Sequence, residues 1–262
     1  MTWFSTAAAI AVLASIANTA ISPTSSNDCA TSALCDLSAA TALATVVIEQ
    51  AAPEIDTASG RPCRDAPAFV RASGDERRLI CGGIKMAVDA LAVCGIKPRA
   101  PIYAEQSEKV VSPDGDEMFG LYDRVHDTVV VASAGSVAKL MKDSPYAAIS
   151  VSEFYRSMVV HETVHAIMEA NQSALPSSRS AQEYAPYAIQ WATMAPATRQ
   201  AFLRQFDLAD TRIADVFADA ILMFDPYYLG ARAYTHFDAM GQSCGTASLW
   251  IAVLADMGAS LV

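Results

Sequence analysis

The chain has 262 residues, 53% of them hydrophobic, which supports a compact globular body with one good core. Acidic side chains outnumber basic ones to a net charge of −10, which argues against nucleic acid or an anionic membrane as the partner and mildly favours cationic or neutral peptides.

The first 27 residues carry no charged side chain, and Ala7 to Ala17 form an Ala/Ile/Val/Leu run followed by small residues. This pattern predicts an export signal over residues 1–20, although its n-region lacks Lys and Arg. The run is shorter than the roughly 20 residues of a membrane span, so no stable span is expected in the mature form. Residues 21–60 are rich in Ser, Thr and Ala and contain one expected helix, Leu37 to Gln50; residues 61–262 form the expected main domain. Six cysteines, none in a C-x-x-C pair, suit three disulfides in an oxidising compartment, periplasmic or secreted. Of the 15 pairings Cys81–Cys94 is excluded. Glu76 to Val93 reads as a helix, and 13 residues along it span roughly 20 Å, beyond disulfide reach.

Glu117 to Tyr122 and Thr128 to Val131 read as two short strands of a small antiparallel sheet, after a turn at Pro113-Asp114-Gly115. Asp123 to Asp127 join them, and His126 belongs to that turn. Ser150-Val151-Ser152-Glu153 fits a capping box, with the Glu153 carboxylate reaching back, and predicts a helix from about residue 151. From Phe154 to Ala170 there is neither Gly nor Pro. Phe154, Met158, Val159, Val160, Val164, Ile167 and Met168 leave only a narrow polar face, so the helix is central and mostly buried. Asn171 is the expected left-handed cap.

On this helix lies His161-Glu162-Thr163-Val164-His165. Positions i and i+4 share a helix face, so both imidazoles can meet one metal ion, and Glu162 is left beside it as a proton acceptor. A chain with 4 His and 10 Glu matches His-Glu-x-x-His by chance about 0.002 times. Histidines satisfied by core hydrogen bonds are the bland alternative. Catalytic zinc keeps three protein ligands and an open position, so a third donor is needed. Met168 and Asn171 replace the Gly and last His of the longer H-E-x-x-H-x-x-G-x-x-H pattern, which is thereby excluded. Glu183, 18 positions after His165 beyond the Ser/Pro-bearing segment 173–178, is the best remaining donor. Ser180-x-x-Glu183 also reads as a capping box, and Pro186 then belongs near the first turn of the helix. Asp215 and Asp219, at i and i+4 of an expected helix from Thr211 to Phe224, are the substitute carboxylates, although a solvated face is their simpler reading.

From His161 to about Tyr187 the chain resembles the zincin metallopeptidases of the Glu-ligand subclass, the gluzincins. Gln182 and Tyr187 stand where better-known members often have Asn before the ligand Glu and Asp shortly after it. The resemblance implies an α+β zincin-like domain, mainly helical, with a small antiparallel sheet before the active-site helix. It implies Zn²⁺ on His161, His165 and Glu183, Glu162 as general base, and a peptide or protein substrate lying along a strand that borders the cleft. A donor to the transition-state oxyanion is also expected: His236, Tyr184 or Tyr187. Two other classes compete, an inactive zincin-like binding module and a disulfide-bonded interaction protein without metal. No oligomeric state follows from the sequence.

Overall fold

Short β-branched and aromatic runs build a sheet, two long helices pack on it, and a third long helix packs on those two. The computed structural model describes residues 60–112, 115–171, 178–208 and 219–241. The expected export signal, residues 21–59 of the segment that follows it, Pro113, Asp114, Asp215, Cys29, Cys35 and Cys244 lie outside the described residues.

The sheet has the order β1-β2-β3-β7-β6. β1 is Arg61–Pro62, β2 Ala68–Arg71, β3 Ile102–Ser107, β6 Gly120–Asp123 and β7 Thr128–Ala132. β2, β3 and β7 run parallel, whereas β1 and β6 pair antiparallel at the two edges. The sheet is therefore mixed, not antiparallel as expected. The hairpin read from sequence is indeed antiparallel, Gly120 facing Val131 and Tyr122 facing Val129, but β2 and β3 enter through a helical crossover, which permits parallel pairing. The expected strand over 117–122 is broken at Phe119: Glu117–Met118 is β5 and pairs with β4, Val110–Val111, in a separate two-stranded ribbon.

Helix α1, Gly74–Val93, buries Ile80, Gly83, Ile84, Ala87 and Leu91 along one stripe. Gly83 lets it approach the central helix closely, since a Cβ there would lie 2.7 Å from Val159 Cβ and 2.8 Å from the Arg156 carbonyl oxygen. A disulfide joins Cys63 to Cys81 on this helix with a Cα separation of 5.6 Å, so the excluded Cys81–Cys94 pairing does not occur. After the short helix α2, Ala134–Met141, the central helix α3 runs Val151–Asn171, with 13 of its 21 residues buried. It packs on α1, on β6 and on α4, Arg179–Thr193, and α4 in turn packs on the last described helix. Helices α5, Pro196–Leu203, α6, Asp219–Phe224, and α7, Pro226–Ala239, complete the α+β fold. Tyr146, Phe154, Trp191 and Phe202 stack at ring separations of 3.8–6.0 Å where α3, α4 and α5 converge. Among the described residues no helix is long and apolar enough to cross a membrane.

Local details differ from the expectations where a tertiary partner competes. Ser150 Oγ does accept the Glu153 amide, at 3.3 Å. The Glu153 carboxylate, however, turns outward and accepts from the Ala195 amide at 3.0 Å and the Thr198 hydroxyl at 2.9 Å, securing the start of α5. Asn171 is the last residue of α3 and does not take a left-handed conformation. Its amide nitrogen donates to the carbonyls of Ile167 and Lys97, at 2.8 and 2.9 Å, so it closes the helix with its side chain.

Candidate metal centre

Helix spacing sets the polar side chains of α3 in register. Ser157, His161 and His165 follow one another at intervals of four on one face. Helix α4 presents Glu183, Tyr187 and Gln190 at the matching intervals of four and three, and the two faces meet because α4 packs along α3. His161 Nε2 and His165 Nε2 are 3.2 Å apart. Glu183 places Oε2 3.1 Å from His161 Nε2 and Oε1 3.4 Å from His165 Nε2. One ligating atom from each of the three residues lies within 4.8 Å of the others, a grouping able to hold a metal ion.

Electrostatics agree with the geometry. Burial pushes the Glu183 carboxyl up, but the imidazoles of His165 and His161 outweigh it and hold the group well below the usual carboxylate range. Glu162 is different. It is buried, with 8% of its surface exposed, and burial pushes its carboxyl up to about 7, opposed by His161 and the Tyr122 amide and reinforced by Glu183. Two carboxyl groups in one site are thus held in unlike states, one firmly ionised and one poised near neutrality.

Edge strand β6 forms the wall beside Glu162. Gly120 lies so close that a Cβ there would fall 2.9 Å from Met158 Sδ, 3.1 Å from the Val130 carbonyl oxygen and 3.3 Å from Glu162 Cγ. At the end of β6, Arg124 donates to Gln182 Oε1 at 2.7 Å and pairs with Glu169 at 2.7 Å. The hairpin turn is therefore fastened to both helices of the cluster. His126 sits in that turn as expected, exposed and bonded to Asp123 at 2.7 Å. The carboxylate of Asp123 raises the pKa of this imidazole.

The sequence-predicted residues separate into two groups. His161, Glu162, His165 and Glu183 come together. Tyr184 and His236, named as oxyanion donors, meet each other between α4 and α7, Tyr184 Oη lying 2.8 Å from His236 Nδ1. Tyr187 instead sets its ring edge-on to His161, with centroids 4.6 Å apart. Asp219 is not part of the cluster; it accepts from the Ser180 amide at 2.8 Å and the Ser178 hydroxyl at 2.9 Å.

Ser178, not Ser180, caps α4. Glu183 is therefore relieved of capping and lies in the second turn, and Pro186 falls inside the helix rather than near its first turn. An interior proline cannot donate to the Gln182 carbonyl, a cost of about 3 kcal/mol. Ala181, Tyr184, Ala185, Ala188 and Trp191, all fully buried, hold α4 helical regardless.

Three participants escaped the sequence reading: Gln190, whose Oε1 is 3.1 Å from His161 Nδ1, Ser157, which accepts from Gln190 Nε2 at 3.3 Å, and Gly120. The first two carry a sequence signal, since Ser157 precedes His161 by four and Gln190 follows Glu183 by seven. Gly120 carries none, because only packing reveals what its missing side chain makes room for.

Residues 69–252 match the model of one family, described as a family of unknown function (DUF6639). No curated protein and no solved structure matches the chain.

Proposed function

The chain belongs to the DUF6639 family, and from the chemistry of its own site we propose that it is a zincin-like zinc metallopeptidase of the Glu-ligand kind, acting outside the cytoplasm. One observation carries the reading: two imidazoles one helical turn apart and a carboxylate from the next helix converge, with Glu162 buried beside them.

The donor set fits zinc. Metal–ligand bonds of about 2.0–2.1 Å in a tetrahedron put neighbouring ligand atoms about 3.3 Å apart. The separations of 3.1, 3.2 and 3.4 Å among His161, His165 and the two Glu183 oxygens lie close to that value. Three groups able to offer lone pairs face one another in a largely enclosed site, and one cation between them would satisfy all three at once. Two imidazoles and one carboxylate with an open fourth position make a catalytic rather than a closed structural set. Zinc held there would supply Lewis acidity to a water molecule and to the substrate carbonyl.

The remaining steps belong to the chain. Glu162 takes the proton from the attacking water and passes it to the leaving amine, a task suited to a carboxyl whose pKa lies near neutral pH. Tyr187, partly buried with its ring against His161, is the side chain we assign to steady the oxyanion, while His236 is already engaged with Tyr184. The outer edge of β6 has no partner strand among the described residues and runs beside Glu162, so an extended peptide can pair with it through main-chain hydrogen bonds. The Cys63–Cys81 disulfide supports an oxidising location.

The test compares zinc content and peptide turnover of the wild type with Glu162→Gln and Glu183→Ala. Glu162→Gln is expected to keep about one zinc per chain and to lose turnover by about 10²–10⁴-fold, the usual contribution of a general base. Glu183→Ala should lose the metal. Metal-free wild type after purification with zinc, or undiminished turnover in Glu162→Gln, overturns the assignment.

A further inference from the structure

A run of hydrogen bonds between α3 and α4 has its direction settled at one end. Ser157 Oγ lies 2.8 Å from the Phe154 carbonyl oxygen, which can only accept, so the hydroxyl proton is spent there. Ser157 Oγ must then accept from its other neighbour, and the Gln190 side chain, 3.3 Å away, must present its NH₂ group. The amide is thereby oriented with Oε1 towards His161 Nδ1, at 3.1 Å. A carbonyl oxygen cannot donate, so Nδ1 must carry a proton, and when the ring is neutral its lone pair lies on Nε2, the atom that faces His165 and Glu183. All three side chains are buried, with 2%, 3% and 8% of their surface exposed for Ser157, Gln190 and His161, so water does not compete for these bonds.

We propose that Gln190 is a positioning residue that, held by Ser157, fixes the neutral tautomer of His161 and turns its Nε2 lone pair towards the metal-binding cluster. The chain begins at a helix carbonyl and contains no ionised group, so it selects the tautomer without adding charge to a site that already holds Glu162 and Glu183. A carboxylate at the same place would perform the same selection but would add a third negative charge. The inference rests on the metal-site reading for its purpose only; the tautomer itself is a property of the metal-free protein.

The experiment records long-range ¹H–¹⁵N correlations of the His161 ring in the metal-free full chain at alkaline pH, where imidazoles are neutral, together with zinc affinity by competition against a chromophoric chelator. Wild type is expected to show Nδ1 protonated and Nε2 bare. Gln190→Leu, close in volume but without an acceptor, should lose that preference and bind zinc 10–100-fold more weakly. Gln190→Glu should restore the tautomer, and Ser157→Ala, which releases the amide, should weaken it without touching His161. Should Gln190→Leu fail to fold, the Ser157→Ala and Gln190→Glu spectra decide. A wild-type ring protonated at Nε2, a Gln190→Leu ring or zinc affinity unchanged from wild type, or a Ser157→Ala ring identical to wild type overturns the proposal. Because the tautomer is read without zinc or peptide, its failure is distinguishable from failure of the peptidase assignment.

Discussion

Glu162 owes its position to a residue with no side chain. Gly120 on β6 lets the strand lie so close to α3 that a Cβ would fall 3.3 Å from Glu162 Cγ, and the added Cβ of Gly120→Ala can be relieved only by moving Met158, Glu162 or the strand. On the peptidase reading this variant should retain zinc yet lose about 10–100-fold in kcat, because small misplacements of a base are costly. Unchanged kcat with retained zinc would show the contact to be slack. Tyr187→Phe removes one hydroxyl while keeping the ring against His161. Loss of an oxyanion donor lowers kcat by about 10²–10³-fold, and a larger loss in Tyr187→Phe than in His236→Gln identifies the donor; the reverse order reassigns it to the Tyr184–His236 pair. The motif residues were legible because helical geometry alone brings i and i+4 together, whereas Gly120 and the turning of Tyr184 towards His236 depend on neighbours remote in sequence.

Helix α4 shows how an element's limits follow from its partners. Its first turn is held by Ser178 and by Asp219 from α6, whose carboxylate accepts from the Ser180 amide and the Ser178 hydroxyl. These bonds, the Ser180 amide first, lower the Asp219 pKa below its ordinary 3.8. A carboxyl with a depressed folded value stabilises the fold above its unfolded pKa, and that contribution disappears as the pH falls through the folded value. Asp219→Asn should therefore lower Tm at pH 7, and thermal melts should show the gap to wild type closing at acid pH. A gap independent of pH would mean that the charge is not what matters. Helix α3 was readable almost to the residue from its apolar pattern and the lack of Gly and Pro. The start of α4 was not, since the two serines Ser178 and Ser180 compete as caps and only docking against α6 decides between them.

Across the whole molecule the cluster joins two helices that otherwise meet through apolar packing and the Ser157–Gln190–His161 hydrogen bonds, so an ion bound there would add a further link between α3 and α4. Ligand present at a hundred times its Kd stabilises the folded state by about 2.7 kcal/mol, which for a chain of this size corresponds to roughly 5–10 °C in Tm. Chelation of the zinc-loaded protein should lower Tm by that amount, and Glu183→Ala should show no response to chelator; a wild type equally indifferent would sever the site from the fold.

The amino-acid order alone determined the helix that bears His161, Glu162 and His165, the hairpin in front of it, the α+β class and a short choice of third carboxylates, because each follows from spacing along one element or from neighbours in the chain. The parallel pairing of β2, β3 and β7, the choice of Glu183 over Asp219 to face the imidazoles, the interior place of Pro186 and the buried chain from Phe154 to His161 were decided only by tertiary packing. Each of these depends on which of several locally adequate partners a distant segment brings within reach.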